Sequence, residues 1–370
     1  MKVLFIYTRF FPRLGGVQTY ILNVSKEMKK LGHEVAVVCS DEGDKLKRKE
    51  IIQGVQVYRY KMPKLDPEKL WRWPIEHNNA AKKLITDEGL SDCNVAISRA
   101  ALYVEGLIEV FGKDKVIYIA PNFLDKYDQL IKPSKERKKS KAVLEKMEKK
   151  AISNLDKIIT LSEMVKRQVS EINPNKNIRV IKPGLDFEKF KISELKEKNA
   201  IYVGRLSEEK NVIGLLRAFK KIKSGKLIVV GGGPEEEMLK RFAKDNGLDQ
   251  KIKFVGWRDD PENFLKKASV FILPSIYESF GHVFLEAMAS GLPIIAFKPN
   301  DKTIITAADE IVKDGKTGFL VENEKGMGEK IEELLEDEKL RKKIGREARN
   351  EVEKYSWKKT AKEILNFVKS

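Results

Sequence analysis

The chain has only two cysteines and three histidines in 370 residues. Cys39 and Cys93 stand at unrelated positions, so they form neither a metal-binding cluster nor a disulfide framework, and both read as buried thiols. No apolar run reaches the roughly 18 residues that a membrane span requires. Nor does the start resemble a secretory leader: the opening "MKVLFIYTRFFPR" turns polar after a short Val-Leu-Phe-Ile-Tyr core, which reads as a buried first strand. The expected location is therefore the cytoplasm.

What the chain does have is charge. Lys and Arg outnumber Asp and Glu by 72 to 55, for a net charge of +17. Such an excess favours anionic partners: phosphorylated small molecules, an acidic membrane surface or nucleic acid. Specific nucleic-acid binding gains no further support, because no aromatic-rich strand pattern or helix-turn-helix signal accompanies the charge.

Short Val/Ile-rich runs alternate with amphipathic stretches almost from end to end. Strands are expected at "KVLFIYT", "EVAVVCS", "VQVYRY", "NVAIS", "KVIYIA", "KIITLS" and "IRVIK", then again at "NAIYVG", "GKLIVVGG", "KIKFVG", "SVFILPS", "PIIAF" and "GFLV". Alternation of this kind predicts an α/β protein with parallel sheets covered by helices on both faces. Two successive series, in a chain too long for one core, predict two doubly wound, Rossmann-like domains. The seam is expected where Pro, Gly and charge interrupt the apolar runs between residues 182 and 199, which gives domains of 1–184 and 185–355. Ligands of such sheets sit beyond the C-terminal strand ends, so a central cleft is the expected site.

Several motifs fall at those strand ends. In "LPSIYESFGHVFLEAMASGLP" a helix starting near Gly281 is apolar nearly all round, yet carries Glu286. A carboxylate there needs either a buried Lys or Arg or the hydroxyl groups of a ligand. Glu278 lies eight residues earlier in the preceding loop, and the amides of Phe280, Gly281 and His282 form a helix N-terminus suited to phosphate. "YVGRLSEEKNVIGLLRAF" supplies Gly204 after a strand, with Arg205 and Lys210 flanking the next turn. These two cations read either as solvated surface charge or as a grip on a diphosphate. The triple glycine of "IVVGGGPEEEML" lacks dinucleotide spacing, because Glu236 takes the place of the last glycine, and it reads as a tight turn. Gly15 and Gly16 in "FPRLGGVQTY" precede the first helix, as an anion or sugar cradle or as a plain loop-to-helix turn.

Taken together, these pieces resemble glycosyltransferase family 4, the retaining nucleotide-sugar transferases of GT-B fold. "PSIYESFGHVFLEAMASGLPIIA" is similar to the family's E-x7-E signature, with Glu278 and Glu286 as its acids. "GGVQTY", "VGRLSEEKN", "GGGPEEEML", "FVGW", "DGKTGFLV" and "YSWKKTAKEIL" follow in the family's order. The resemblance implies that Glu286 holds ribose hydroxyls, Glu278 contacts the donor sugar, and Arg205 and Lys210 grip the diphosphate. It also implies that Gly15 and Gly16 face donor and acceptor, that the loop at Gly256 and Trp257 borders the base, and that a final helix, about 356–370, crosses back onto the N-terminal domain. That domain would bind the acceptor and the second the nucleotide sugar. The implied activity transfers a hexosyl group from a UDP- or GDP-sugar to a lipid, glycan or small molecule, without a cofactor. No Asp-x-Asp sequence occurs, so the two cations are expected to act in place of a divalent metal.

One departure stands out. Many members carry a histidine after the strand that here reads "KVIYIAPNF", where this chain has Ala120, Pro121 and Asn122. Asn122, Arg99 of "ISRA" or no residue takes that role, and a catalytically impaired nucleotide-sugar or glycan-binding protein is the alternative reading. Finally, a Lys-rich stretch lies at 132–150, and in a helix running on from it Leu144, Met147, Ala151 and Leu155 make one apolar stripe. It fits either an ordinary helix packed on the sheet or an interfacial helix on an anionic membrane, which would suit a lipid-linked or anionic acceptor.

Overall fold

The computed structural model describes residues 1–12, 15–43, 46–64, 71–121, 137–174, 176–192 and 198–370, with side chains of 137–141 excepted. Asn122 lies outside the described residues. The chain forms two compact units, Met1–Gly184 with Trp357–Ser370, and Leu185–Ser356.

The first unit holds an eight-stranded sheet of β1 (Lys2–Ile6), β2 (Glu34–Ser40), β3 (Lys49–Ile52), β4 (Val55–Tyr60), β5 (Val95–Ser98), β6 (Val116–Ala120), β7 (Lys157–Thr160) and β8 (Asn177–Val180). Their order is β3-β4-β2-β1-β5-β6-β7-β8. The central strands are buried along nearly their whole length, which is why their sequences run apolar without alternation. One strand departs from the all-parallel expectation: β3 pairs antiparallel with β4 at the sheet edge. Its sequence, KEII, is half charged and its exposure alternates along the strand, as on a half-solvated edge, so it lacked the continuous apolar run used to find the others.

Helices of this unit are α1 (Gly16–Lys30), α2 (Trp73–Asp87), α3 (Val104–Phe111), α4 (Arg137–Asn154) and α5 (Glu163–Ile172). Gly32, with φ of 83°, ends the turn after α1 in the left-handed conformation that glycine tolerates. Ser162 caps α5, its hydroxyl accepting from the Val165 amide at 3.3 Å. Ala151 and Leu155 of the lysine-rich stretch are fully buried, so that end of the apolar stripe packs within the unit and is not free to face a bilayer. Among the described residues, no helix is long and apolar enough to cross a membrane.

The second unit contains β9 (Asn199–Val203), α6 (Val212–Phe219), β10 (Lys226–Val230), α7 (Glu236–Asp245), β11 (Ile252–Gly256), α8 (Glu262–Leu265) and β12 (Val270–Leu273). It continues through β13 (Tyr277–Glu278), α9 (His282–Ala289), β14 (Ile294–Phe297), β15 (Ile305–Thr306), α10 (Ala308–Ile311), β16 (Gly318–Val321), α11 (Glu324–Glu336) and α12 (Glu338–Val352). The main sheet runs β11-β10-β9-β12-β14-β16, all parallel, while β13 and β15 form a separate two-stranded ribbon. Numbered within the unit this order is 3-2-1-4-5-6, that of a dinucleotide-binding Rossmann sheet. Leaving out its edge hairpin strand, the first unit starts the same way, with its order reversing between β1 and β5.

The last helix, α13 (Trp357–Lys369), belongs to the first unit. It packs on α1, with the Trp357 ring edge-on to Tyr20 at 5.6 Å. Thr360 Oγ1 donates to Lys182 O at 2.9 Å, and Lys157 Nζ donates to Val368 O at 3.0 Å.

Candidate functional site

In the second unit the strand order reverses between β9 and β12, and ligands of such sheets bind beyond the C-terminal ends at that point. Five of the residues singled out in the sequence flank it. Gly204, Arg205 and Lys210 follow β9, while Glu278 and Gly281 follow β12.

The two loops are joined. Ile276 N donates to Glu209 O at 2.9 Å, and the Lys210 ammonium donates to Glu278 Oε2 at 2.5 Å. Both side chains of this pair remain partly open, 20% and 13% exposed. Lys210 occupies the short 3-10 turn Glu208–Lys210, and Asn211 behind it takes φ of 49°, a conformation its short polar side chain tolerates. Arg205 is exposed, and among the described residues its guanidinium makes no ion pair. Its carbonyl is fixed by Tyr202 Oη, which donates at 2.7 Å. The switch point thus presents one open cation and one cation held against a carboxylate.

The triple glycine has a purpose beyond a tight turn. A Cβ at Gly231 would lie 1.8 Å from Gly204 O, and one at Gly233 would lie 2.2 Å from Leu206 O. Only glycine allows these backbones to meet. Gly231 N then donates to Gly256 O at 2.8 Å, and Leu206 N to Gly232 O at 3.0 Å, so three loops after adjacent strands are locked together. Trp257, beyond Gly256, is 61% exposed.

Gly281 caps α9 with φ of 79°, and a Cβ there would sit 2.9 Å from the Phe284 ring and 3.1 Å from Glu278 Cγ. The first turn of α9 carries no acidic side chain, leaving its positive end unneutralised from within. Phe280 points its ring into the core, edge-on to His282 at 5.7 Å and to Tyr355 at 6.4 Å, so only its backbone is available to a ligand.

Glu286 is half-buried on α9, and its carboxylate has no hydrogen-bond or ion-pair partner among the described residues. The nearby cation Lys189 is engaged by Glu262 at 3.2 Å. Desolvation pushes the Glu286 carboxyl up to about 7, against the pull of Lys189 and with a smaller push from Glu262. The first of the two explanations open from sequence, a buried Lys or Arg partner, is not what this unit builds. Sequence reading did not foresee Lys189 or Tyr202, since nothing in their local pattern marks them.

In the first unit Gly15 and Gly16 are exposed, with Gly15 capping α1 in an extended conformation. Arg99 follows β5 and is buried. His77, on α2, is buried too: Tyr60 Oη lies 2.6 Å from its Nδ1, and burial lowers its pKa to about 4. Ala120, at the end of β6, is buried. Among the described residues no group of three or more His, Cys, Asp or Glu could hold a metal ion.

Two Rossmann-like sheets in one chain, the second with cations at its switch point, make the arrangement of the GT-B fold. Comparison with known proteins agrees. Residues 186–351 match the family model described as "Glycosyl transferases group 1", and residues 14–189 match "Glycosyltransferase Family 4". An uncharacterized glycosyltransferase of Methanocaldococcus jannaschii is 28% identical over 97% of this chain and 95% of its own. Sucrose-phosphate synthase from Thermosynechococcus elongatus superposes with a TM-score of 0.85, at 19% identity, over 99% of this chain and 97% of its own. HepE of Anabaena, crystallised with UDP and glucose, gives 0.77 at 17% identity, over 99% and 98%. The chain belongs to the family 4, group 1 glycosyltransferases and is an enzyme of that class.

Proposed function

We propose that this glycosyltransferase moves a hexosyl group from a UDP- or GDP-sugar to a hydroxyl of a lipid, glycan or small molecule, with retention of configuration and without a required metal. The observation that carries this reading is the contact between Lys210 and Glu278, 68 residues apart in sequence, beside the open Arg205. A nucleoside diphosphate leaving from this place would set its phosphates against Lys210, Arg205 and the amino end of α9, while Glu278 turned toward the sugar hydroxyls. Glu286, with no partner of its own, would accept from the ribose hydroxyls. That HepE binds UDP and glucose supports UDP as the first nucleotide to try.

In the reaction the bond between the anomeric carbon and the β-phosphate oxygen breaks, and its electron pair stays on that oxygen. The acceptor oxygen bonds to the anomeric carbon on the same face, and its proton passes to the departing phosphate. Charge therefore grows on the phosphate, where fixed cations stabilise the transition state more than the ground state. Metal independence rests on those two side chains and on the absence of an Asp-x-Asp sequence.

The test is a panel of UDP-, GDP- and ADP-sugars in EDTA, following nucleoside diphosphate release and thermal shift for wild type and Glu286→Ala. Release from one donor, lost in the variant, is expected. A folded protein that turns over only with added Mg²⁺ or Mn²⁺ would overturn metal independence, and normal turnover by the variant would remove Glu286 from the site.

A further inference from the structure

Arg99 sits at the switch point of the first unit. Its amide donates to Ile6 O, at the end of β1, at 3.2 Å. Ser98 Oγ donates to Ala100 O at 2.7 Å and accepts from Ala100 N at 3.2 Å, a tight local turn around this position. The Arg99 side chain lies over the Tyr20 ring, 4.7 Å from its centroid, and the residue is only 3% exposed. Its Nε and Nη1 are buried and have no hydrogen-bond acceptor among the described residues.

A permanently charged guanidinium is costly in such a place unless an anion meets it. Among the described residues, the groups that act on it electrostatically are Tyr20, Tyr7 and Tyr118, all phenols and none a carboxylic acid. Burial raises Tyr20 to about 12 and carries Tyr118 well above its usual value, so both stay protonated at neutral pH. The buried carboxylate Glu148 already accepts from Tyr118 Oη at 3.3 Å. Tyr20 lies on α1, one turn in from Gly16, and the first turn of that helix has no acidic side chain. Its positive end adds to the attraction for a negative group.

We propose that Arg99 anchors an oxyanion subsite in the first unit, which takes a carboxylate or phosphate group carried by the sugar acceptor. Assigning the anion to the acceptor rests on the transferase reading above; the anion site itself stands on Arg99 and its surroundings. Removing an uncompensated buried cation leaves a protein as stable or more stable, whereas removing one member of a satisfied pair destabilises it.

The experiment compares thermal unfolding of wild type, Arg99→Met and Arg99→Lys in chloride, inorganic phosphate and malonate at matched ionic strength, with nucleotide titrations on the same samples. Phosphate or malonate is expected to raise the wild-type midpoint by several degrees, and the larger of the two shifts tells whether the acceptor group is a phosphate or a carboxylate. Arg99→Met should unfold at or above the wild-type midpoint in chloride and lose the anion shift, while Arg99→Lys keeps a smaller one. Two results overturn the proposal: no anion shift in wild type, or equal shifts in wild type and Arg99→Met with the variant less stable in chloride, which means Arg99 is paired within the chain. Nucleotide titration separates the two readings, because a protein that binds phosphate through Arg99 but no nucleotide retains the subsite and loses the donor assignment.

Discussion

The two units share a sheet order around their switch points but hold the loops there by different means. In the second unit backbone meets backbone: Gly231 against Gly204 and Gly233 against Leu206 leave no room for a single methyl group. In the first unit backbone ties such as Ser40 N to Thr8 O at 3.1 Å and Arg99 N to Ile6 O at 3.2 Å are reinforced by side chains. Arg59 donates to Phe11 O at 2.8 Å and Lys47 O at 3.0 Å and pairs with Glu50, Ser40 Oγ donates to Thr8 O at 2.9 Å, and Gln18 Nε2 reaches Arg9 O at 3.4 Å. Backbone contacts fix geometry and tolerate few sequences, which suits a ligand part common to many donors. Side-chain ties can be replaced one at a time, which would suit a variable acceptor if, as proposed, the donor belongs to the second unit and the acceptor to the first.

The sharpest way to break this contrast is to attack the charge proposed to act in catalysis. Lys210→Ala and Arg205→Ala should each lower kcat about 100-fold to 1000-fold, the usual cost of losing one fixed electrostatic donor. Steady-state kinetics with a saturating donor checks this, and losses below tenfold would move the leaving group elsewhere. Gly231→Ala comes next, forcing a residue with φ of 136° into contact with Gly204 O. Strain and overpacking together should cost about 3 kcal/mol, a fall of roughly 10 °C in the melting midpoint. Gly32→Ala is its control in the first unit, because a Cβ at Gly32 meets nothing within 4 Å. Only the left-handed strain of about 1 kcal/mol remains there.

Arg59→Met tests the side-chain ties. The residue is fully buried, so its loss should destabilise the first unit by roughly 3 kcal/mol, the low end for a broken buried pair because Glu50 stays partly solvated. Nucleotide affinity should be untouched, and a nucleotide titration of the folded variant decides it.

The smallest expected effect concerns pH. Glu286 holds its proton up to about 7 in the folded protein, against an ordinary value of 4.5. Between those values the folded state binds more protons than the unfolded one, so this group's contribution makes stability fall as pH rises through that window. On the proposed contact of Glu286 with the ribose, donor binding runs the other way, because hydroxyls donate best to the ionised carboxylate, so affinity should weaken as pH drops below about 7. Glu286→Gln should flatten both trends and raise the donor KM about tenfold or more. Calorimetry and donor titration across pH 5 to 8, on the order of half a unit per step, follow the two slopes.

Much of the fold was legible. The continuous apolar runs of β1, β5, β6, β12 and β14 announce strands covered on both faces, and the resulting α/β reading is the fold observed. β3 was not legible, since an edge strand needs no such run. At the site, glycines and charges could be located but not their partners. From sequence Glu286 reads as half of a salt bridge or as a ligand contact, and only the fold shows the nearby Lys189 bound to Glu262 instead. Arg99 was recognisable as a cation after a strand, but its burial among phenols was not.

By itself, then, the sequence determined the succession of strands and helices, the two-part architecture and the chemical types gathered near strand ends. Those depend on periodicity and local propensity, which neighbouring residues carry. Only the tertiary structure decided that Lys210 meets Glu278, that Gly231 lies under Gly204, and that Arg99 faces tyrosines with no acid among the described residues to answer it. Each is a meeting of residues on different elements or the loops after them, and the sheet order that brings those elements side by side is set by packing the whole core rather than by any segment within it.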